Sequence, residues 1–241
     1  MKIAILGAES TGKSQLAAEL ASALRGQGNT VALVGEYLRE WCDHHGRTPR
    51  ADEQAPIAHE QVRRVEAAVA RVDAADAHLP ASSDIASHVA NPLSNHVVLA
   101  DTTALLTAAY SELLFDDVSL HDVAIAHQRG YDITLVAGLD LPWVADGLQR
   151  DGPHTREAAD SLLRALLGRA SVGYQVVYGH GPARLENALI AIKSISTYSH
   201  RTRATALFSS EKAEKKAVWA WPCEKCSDPD CEHRLFSQLL R

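Results

Sequence analysis

An α/β fold, built on a parallel sheet with helices covering both faces, is what this sequence predicts, and three observations predict it. A glycine-rich turn, Gly7–Ser14, stands between a short apolar run and the start of a helix pattern. Four further apolar runs of strand length follow, separated by segments long enough to be helices. Within those segments the apolar residues recur every three or four positions, as they do on a helix with one buried face. Short runs that are apolar on both faces belong inside a parallel sheet, because crossover helices cover both of its sides.

Each element can be justified in order. Lys2–Leu6 is the first strand, and a helix over 14–25 ends at the turn Gly26–Asn29. Val31–Val34 is the second strand, His96–Ala100 the third (ending at Asp101), Ile133–Ala137 the fourth and Tyr174–Tyr178 the fifth. Ile57, Val62, Val65, Val69 and Val72 mark one buried helix face, and Leu162, Leu163, Leu166 and Leu167 another. Thr102–Leu114 also reads as helical. Residues 76–96, rich in Ala, Ser, His and Asn with Pro80 and Pro92, read as a loop or weak helix. Past Ser194 strand character is lost, and the chain turns polar, then charged, then Trp-, Pro- and Cys-bearing. The expected division is therefore a nucleotide domain over 1–194 and a C-terminal extension over 195–241.

Composition narrows the class. An apolar fraction of 46% and a charged fraction of 22% over 241 residues suit a soluble globular chain with a large core. A formal net charge of −6 argues against a nucleic-acid partner, which ordinarily meets a basic surface. No apolar stretch approaches the ~18 residues of a membrane span, so no membrane association is expected. The first strand starts at Lys2, so no leader is expected, and four cysteines, three of them crowded near the end, do not form a secreted disulfide framework. A cytoplasmic protein is the expectation.

Gly7-Ala-Glu-Ser-Thr-Gly-Lys-Ser satisfies the phosphate-binding pattern G-x-x-x-x-G-K-[ST] in full. A strand that ends in such a turn and opens a helix aims backbone N–H groups and the helix dipole at one spot, which a polyphosphate can fill. Gly7 and Gly12 allow close approach, Lys13 reaches the β/γ-phosphates and serves catalysis, and the Ser14 hydroxyl ligates Mg²⁺. Glu9, Ser10, Thr11 and Gln15 complete the expected ATP contacts.

Other candidates carry alternatives. Asp101, closing an apolar strand, is placed to hold Mg²⁺ or its water, or to accept the acceptor hydroxyl's proton; capping the helix that follows is the plainer alternative. Glu36, Tyr37 and Arg39 follow the second strand at the edge where α/β sheets bind ligands, or they are ordinary charges on an exposed helix start. Leu141–Gly152, with Trp143, Arg150 and nearby Arg156, fits a lid that closes over phosphates, although a loop Trp is also a common packing plug. Gly179 and Arg184, after the fifth strand, could approach and cover an adenine, or could form a plain turn. Cys223, Cys226, Cys231 and His233 match a Cys₃His zinc set; the alternative is a reduced, exposed thiol cluster. Cys42 reads as packing.

The run Gly7–Ser14, Glu36-Tyr37-x-Arg39-Glu40, Gln61, Asp101-Thr102, Thr107 and above all Pro142-Trp143-Val144-Ala145-Asp146-Gly147-Leu148 resembles the ribosylnicotinamide kinase domain of NadR-type proteins over most of residues 1–190. The resemblance implies a P-loop kinase fold, ATP with Mg²⁺, and γ-phosphoryl transfer to the 5′-hydroxyl of nicotinamide riboside. It implies ATP and Mg²⁺ at Gly12, Lys13 and Ser14, with Asp101 between metal and acceptor. It puts Glu36, Tyr37, Arg39, Trp143 and Asp146 on the substrate side, and Arg150 and Arg156 in the lid. An aromatic face and a carboxylate would suit the fixed positive charge of the pyridinium ring. Two positions depart from the family pattern: Thr103 stands where it has a second acid, and Gln149 where it has the lid Arg, with Arg150 the candidate one position later. The adenylyltransferase and DNA-binding segments that often precede the kinase are not expected ahead of Lys2.

The expectation is thus an α/β P-loop NTPase or kinase fold, with a five-stranded parallel sheet in the order 2-3-1-4-5 and a C-terminal appendage. The expected function is an ATP- and Mg²⁺-dependent kinase for a small-molecule nucleoside, with zinc possible in the tail. The alternatives are a P-loop kinase for another nucleoside or small alcohol, and a nucleotide-sensing regulatory ATPase.

Overall fold

The computed structural model describes residues 1–76, 96–144 and 153–208. In chain order the elements are β1 (Lys2–Leu6), α1 (Lys13–Gly26), β2 (Thr30–Val34), α2 (Tyr37–His45), α3 (Ala51–Asp76) and β3 (His96–Asp101). They continue with α4 (Ala104–Phe115), α5 (His121–Gln128), β4 (Ile133–Ala137), α6 (Pro153–Arg169), β5 (Gln175–Val177) and α7 (Gly181–Phe208). All pairings are parallel and the strand order is β2-β3-β1-β4-β5, as the sequence predicts.

The central strand shows why the sheet forms. Successive side chains on a strand point to opposite faces. Ile3 and Ile5 of β1 accordingly pack with Leu16, Leu20 and Leu24 of α1 and Ile192 of α7. Leu6 faces the other way, onto Leu105 of α4 and Leu163 and Leu166 of α6, and Ala4 joins Val98 of β3 and Val65 and Val72 of α3. Each fully buried Leu or Ile contributes roughly 1.5–3 kcal/mol. Losing this two-sided burial would remove the reason for the strand.

The chain enters the sheet at β1, adds β2 and β3 on one side, then crosses to β4 and β5 on the other. The crevice beyond the carboxyl end of such a switch strand is where open α/β sheets bind ligands. Here the Gly7–Gly12 turn occupies it.

Some boundaries differ from expectation. β5 keeps three residues instead of five, because Tyr178 swings half-exposed out of the sheet and Gly179 turns the chain at φ +106°. α4 starts at Ala104, not Thr102. α7 continues through Ser194, the expected boundary. By contacts the chain divides into Met1–His200 and Arg201–Arg241. Of the stretch 76–96, expected as a loop or weak helix, Asp76 ends α3 and His96 begins β3, and residues 77–95 lie outside the described residues.

Candidate active site

The turn after β1 is shaped by backbone conformations that few residues adopt. Gly7 sits at φ +148°, and a Cβ there would meet both Ala137 Cβ and Thr11 Oγ1 at 3.0 Å. Gly12, the N-cap of α1, lies at φ +70°, and no side chain caps the helix. Ser10 also holds a left-handed φ of +55° although it carries a Cβ. Strained non-glycine residues persist where surrounding contacts over-determine them. Here the Ser10 hydroxyl accepts from the Val144 amide at 2.7 Å, and Glu9 N donates to the Tyr110 hydroxyl at 3.1 Å. Inside the turn, Lys13 Nζ and Thr11 Oγ1 both donate to the Ala8 carbonyl, at 2.8 and 2.7 Å. Ser14 and Gln15 stand exposed on the first turn of α1. Unspent amide donors, a buried ammonium and an accessible hydroxyl are the donor set that a magnesium-bound triphosphate requires.

Asp101 ends β3 in register with Ile5, two residues before the turn begins. It is 5% exposed, and its Oδ1 has no hydrogen-bond partner among the described residues. The capping alternative is displaced: Thr103 is the N-cap of α4, its Oγ1 accepting from Leu105 N at 3.2 Å. A buried carboxylate oxygen without a donor is costly unless a cation or donor meets it. This orphaned oxygen fits a role at Mg²⁺.

Across the crevice, Glu36 is 8% exposed and serves as N-cap of α2 by position only, with no side-chain cap bond. An ordinary exposed helix start does not describe it. Its Oε2 faces Arg39 Nε at 3.8 Å, and the Arg64 guanidinium lies 4.3 Å above the Tyr37 ring. Glu9, Ser10, Lys13, Glu36, Arg39, Leu106 and Tyr110 line one narrow cavity, so the P-loop lysine and the Glu36–Arg39 segment share it.

The far side of the turn is closed by charge. Arg184, 5% exposed, donates to Thr11 O at 2.7 Å and Gly179 O at 3.2 Å, and lies 3.5 Å from Asp140 Oδ1. Asp140 Oδ2 in turn accepts from Gly179 N at 2.6 Å. Burial pushes the Arg184 pKa down; Asp140 opposes that shift and the nearby Arg156 charge adds to it. Arg184 is thus braced against the P-loop backbone. Arg156 is 7% exposed, with Nε and Nη2 lacking hydrogen-bond partners among the described residues, which leaves a guanidinium face for an anion. Trp143 is partly buried, and its Nε1 likewise has no partner among them.

Asp146, Arg150 and the tail residues Cys223, Cys226, Cys231 and His233 lie outside the described residues. Among the described residues, no three His, Cys, Asp or Glu side chains cluster as a metal site, and no helix is long and apolar enough to cross a membrane. Cys42 is buried beside Leu38 and Ile57. Asp140 and Tyr110 are positioning residues that sequence reasoning missed. The acid three residues past the end of β4 and the i, i+4 spacing of Leu106 and Tyr110 were the available signals.

A family model described as an AAA domain matches residues 2–184. No curated protein matches the chain. Among solved structures, a crystal structure of NadR protein in complex with NR matches at 16% identity and a TM-score of 0.55, covering 90% of this chain and 52% of that one. One of NadR in complex with NAD and AMP-PNP gives the same identity and score, covering 90% and 51%. The chain therefore spans about half the length of these structural relatives, and at such identity the likeness is one of fold.

Proposed function

The chain belongs to the AAA domain family, and from that premise we propose that it is an ATP-dependent kinase that phosphorylates the 5′-hydroxyl of nicotinamide riboside to give nicotinamide mononucleotide. The observation that carries this reading is the shared cavity, in which Lys13 and Ser10 of the phosphate turn face Glu36 and Arg39. The likeness to a NadR chain holding NR supports the same substrate.

In this reading the amides of Gly12 and Lys13, with the Lys13 ammonium, hold the β- and γ-phosphates; Ser14 would hold Mg²⁺ and Asp101 a water bound to it. The metal would offset phosphate charge. Asp101, whose Oδ1 has no hydrogen-bond partner among the described residues, would take the acceptor hydroxyl's proton as the new P–O bond forms and the bond to the ADP oxygen breaks. Arg156, with Arg150, neutralises charge on the transferring group. Glu36, Tyr37 and Arg39 would hold the sugar, and Trp143 and Asp146 are assigned to the pyridinium cation by the family resemblance alone. Gly179 and Arg184 fix the closing side of the nucleotide site. The protein's contribution is mainly positioning and charge neutralisation. The nucleotide domain is assigned to 1–194, and the extension over 195–241 carries Cys223, Cys226, Cys231 and His233 as a zinc set that elemental analysis would test.

One observation favours a different acceptor. Thr103, standing where the resemblance implies an acid, spends its hydroxyl on the α4 cap and on Gln128 Oε1 at 2.7 Å. Glu36 would then be the one acid of that group left to accept from the sugar hydroxyls. ADP release against a nucleoside panel, with wild type and Lys13→Ala in parallel, separates the readings. Preference for nicotinamide riboside supports the first, and preference for adenosine or thymidine leaves only the kinase. Binding of ATP without transfer to any nucleoside points to a regulatory ATPase.

A further inference from the structure

Thr102, the residue after Asp101, holds φ +76°. A β-branched residue in left-handed backbone is a true outlier, costing of the order of 1–3 kcal/mol, and something must hold it there. Its amide donates to Ile5 O at 2.9 Å, which fixes one side of the peptide to β1. Its carbonyl accepts from Gln61 Nε2 at 3.2 Å. The same nitrogen donates to Gly35 O at 3.2 Å, and Gln61 Oε1 accepts the Tyr37 amide at 2.8 Å. Gln61 is 3% exposed, so these bonds are shielded from water.

One buried amide from α3 therefore ties together two loops that share no other role: the β2–α2 turn that carries Glu36, and the β3–α4 turn that carries Asp101. Both loops have polar backbone groups that only a side chain carrying a donor and an acceptor at one end can satisfy together. Asparagine would be one carbon too short and glutamate would set an oxygen against two carbonyls. Beside this clip, Asp101 Oδ1 and Thr102 Oγ1 are buried without hydrogen-bond partners among the described residues.

We propose that Gln61 is a positioning residue that locks Thr102 in its left-handed conformation, and so aims the Asp101 carboxylate at the magnesium site while setting Glu36 opposite it. The inference rests on the reading of Asp101 as the acid beside a magnesium-bound triphosphate, and it needs no particular acceptor. Gln61 touches neither nucleotide nor acceptor; it acts through the two turns. Outer partners that orient a metal-binding carboxylate commonly change metal affinity 10–100-fold when removed.

The test is the Mg²⁺ concentration that half-saturates ATP binding to the full chain, read with a fluorescent ATP analogue and no acceptor present. Gln61→Met keeps the shape of the side chain and deletes its bonds, and is expected to raise that concentration about tenfold. Thr102→Gly added to Gln61→Met should bring it back to within about threefold of wild type, because glycine adopts φ +76° without strain. A general packing defect at Gln61 would not be repaired by that second change. If the double variant is no better than Gln61→Met, or if Gln61→Met matches a Mg²⁺-dependent wild type, the inference is overturned. Should circular dichroism show Gln61→Met unfolded, Gln61→Glu gives the same decision, since it keeps the bond from Tyr37 and loses those to Gly35 and Thr102. Wild-type binding indifferent to Mg²⁺ would instead overturn the reading of Asp101 and this inference with it. Failure of nucleoside transfer in an otherwise Mg²⁺-dependent protein would sink the kinase reading alone.

Discussion

Arg184 and Thr11, 173 positions apart in the chain, are joined by a 2.7 Å bond from the guanidinium Nη2 to the main-chain carbonyl, so the first turn of α7 holds the phosphate turn in shape. Replacing the guanidinium strands the carbonyls of Thr11 and Gly179 and leaves Asp140 with one donor fewer. Arg184→Met is expected to cost about 1–3 kcal/mol, roughly 2–12 °C in Tm, and to weaken ATP binding severalfold. Calorimetry and a fluorescent nucleotide titration would check both; unchanged affinity would mean that the brace is structural only.

Gly7 leaves no room for a side chain. Its φ is +148°, and an added Cβ would meet Ala137 Cβ at 3.0 Å and Ala137 O at 3.1 Å, where main chain must move. Gly7→Ala should destabilise the chain by about 1–3 kcal/mol and abolish measurable ATP binding even where the protein still folds. Equilibrium denaturation paired with isothermal titration would show it.

Asp101→Asn separates stability from activity. The change removes a buried charge with an unpartnered oxygen, so Tm is expected to hold or rise slightly. Phosphoryl transfer should fall about 10²–10³-fold, as it does when a preorganised charged group is lost from a transition state. A marked loss of Tm without loss of transfer would show that the carboxylate serves folding.

Acid should destabilise the fold through His127. Burial pushes its pKa below the ordinary 6.5, the Lys2 charge adds to that, and Glu66 opposes it. The unfolded chain therefore binds the proton more readily, and stability is complete above pH 6.5 and lost as pH falls from there toward the folded-state value. His127→Gln should flatten the dependence of Tm on pH just below 6.5. A second loss is expected as pH falls from 4.5 toward 2, because the unfolded chain protonates Glu53 and Glu60 while neighbouring arginines hold each at about 2 in the fold. Melting curves across pH 2–8 would resolve the two steps.

The sheet and the phosphate turn were legible in the sequence because each depends on local pattern. β1 alternates between two buried faces, and only strand, glycine turn and helix in succession satisfy the spacing of Gly7, Gly12 and Lys13. Asp101 was legible as a residue but not as a role, because an acid at a strand end both binds metals and caps helices. The placement of the Thr103 hydroxyl on Leu105 N takes the cap away from Asp101, and the metal role stays a proposal. Asp140, Tyr110 and Gln61 were not legible as positioning groups. Their partners lie 39, 101 and up to 41 residues away, and no periodicity encodes a bond that the tertiary fold alone brings together. Arg184 stood out in the sequence only through its place after the fifth strand, whereas its grip on Thr11 depends on how α7 returns across the sheet.

Helix α1 begins at a glycine, with no side chain spent on its leading amides. That choice leaves the resting chain with a standing appetite for small oxyanions, whatever its true substrate. Inorganic phosphate or sulfate in a purification buffer should therefore raise its thermal midpoint and compete with ATP, so its resilience would follow the surrounding phosphate concentration as much as its own packing.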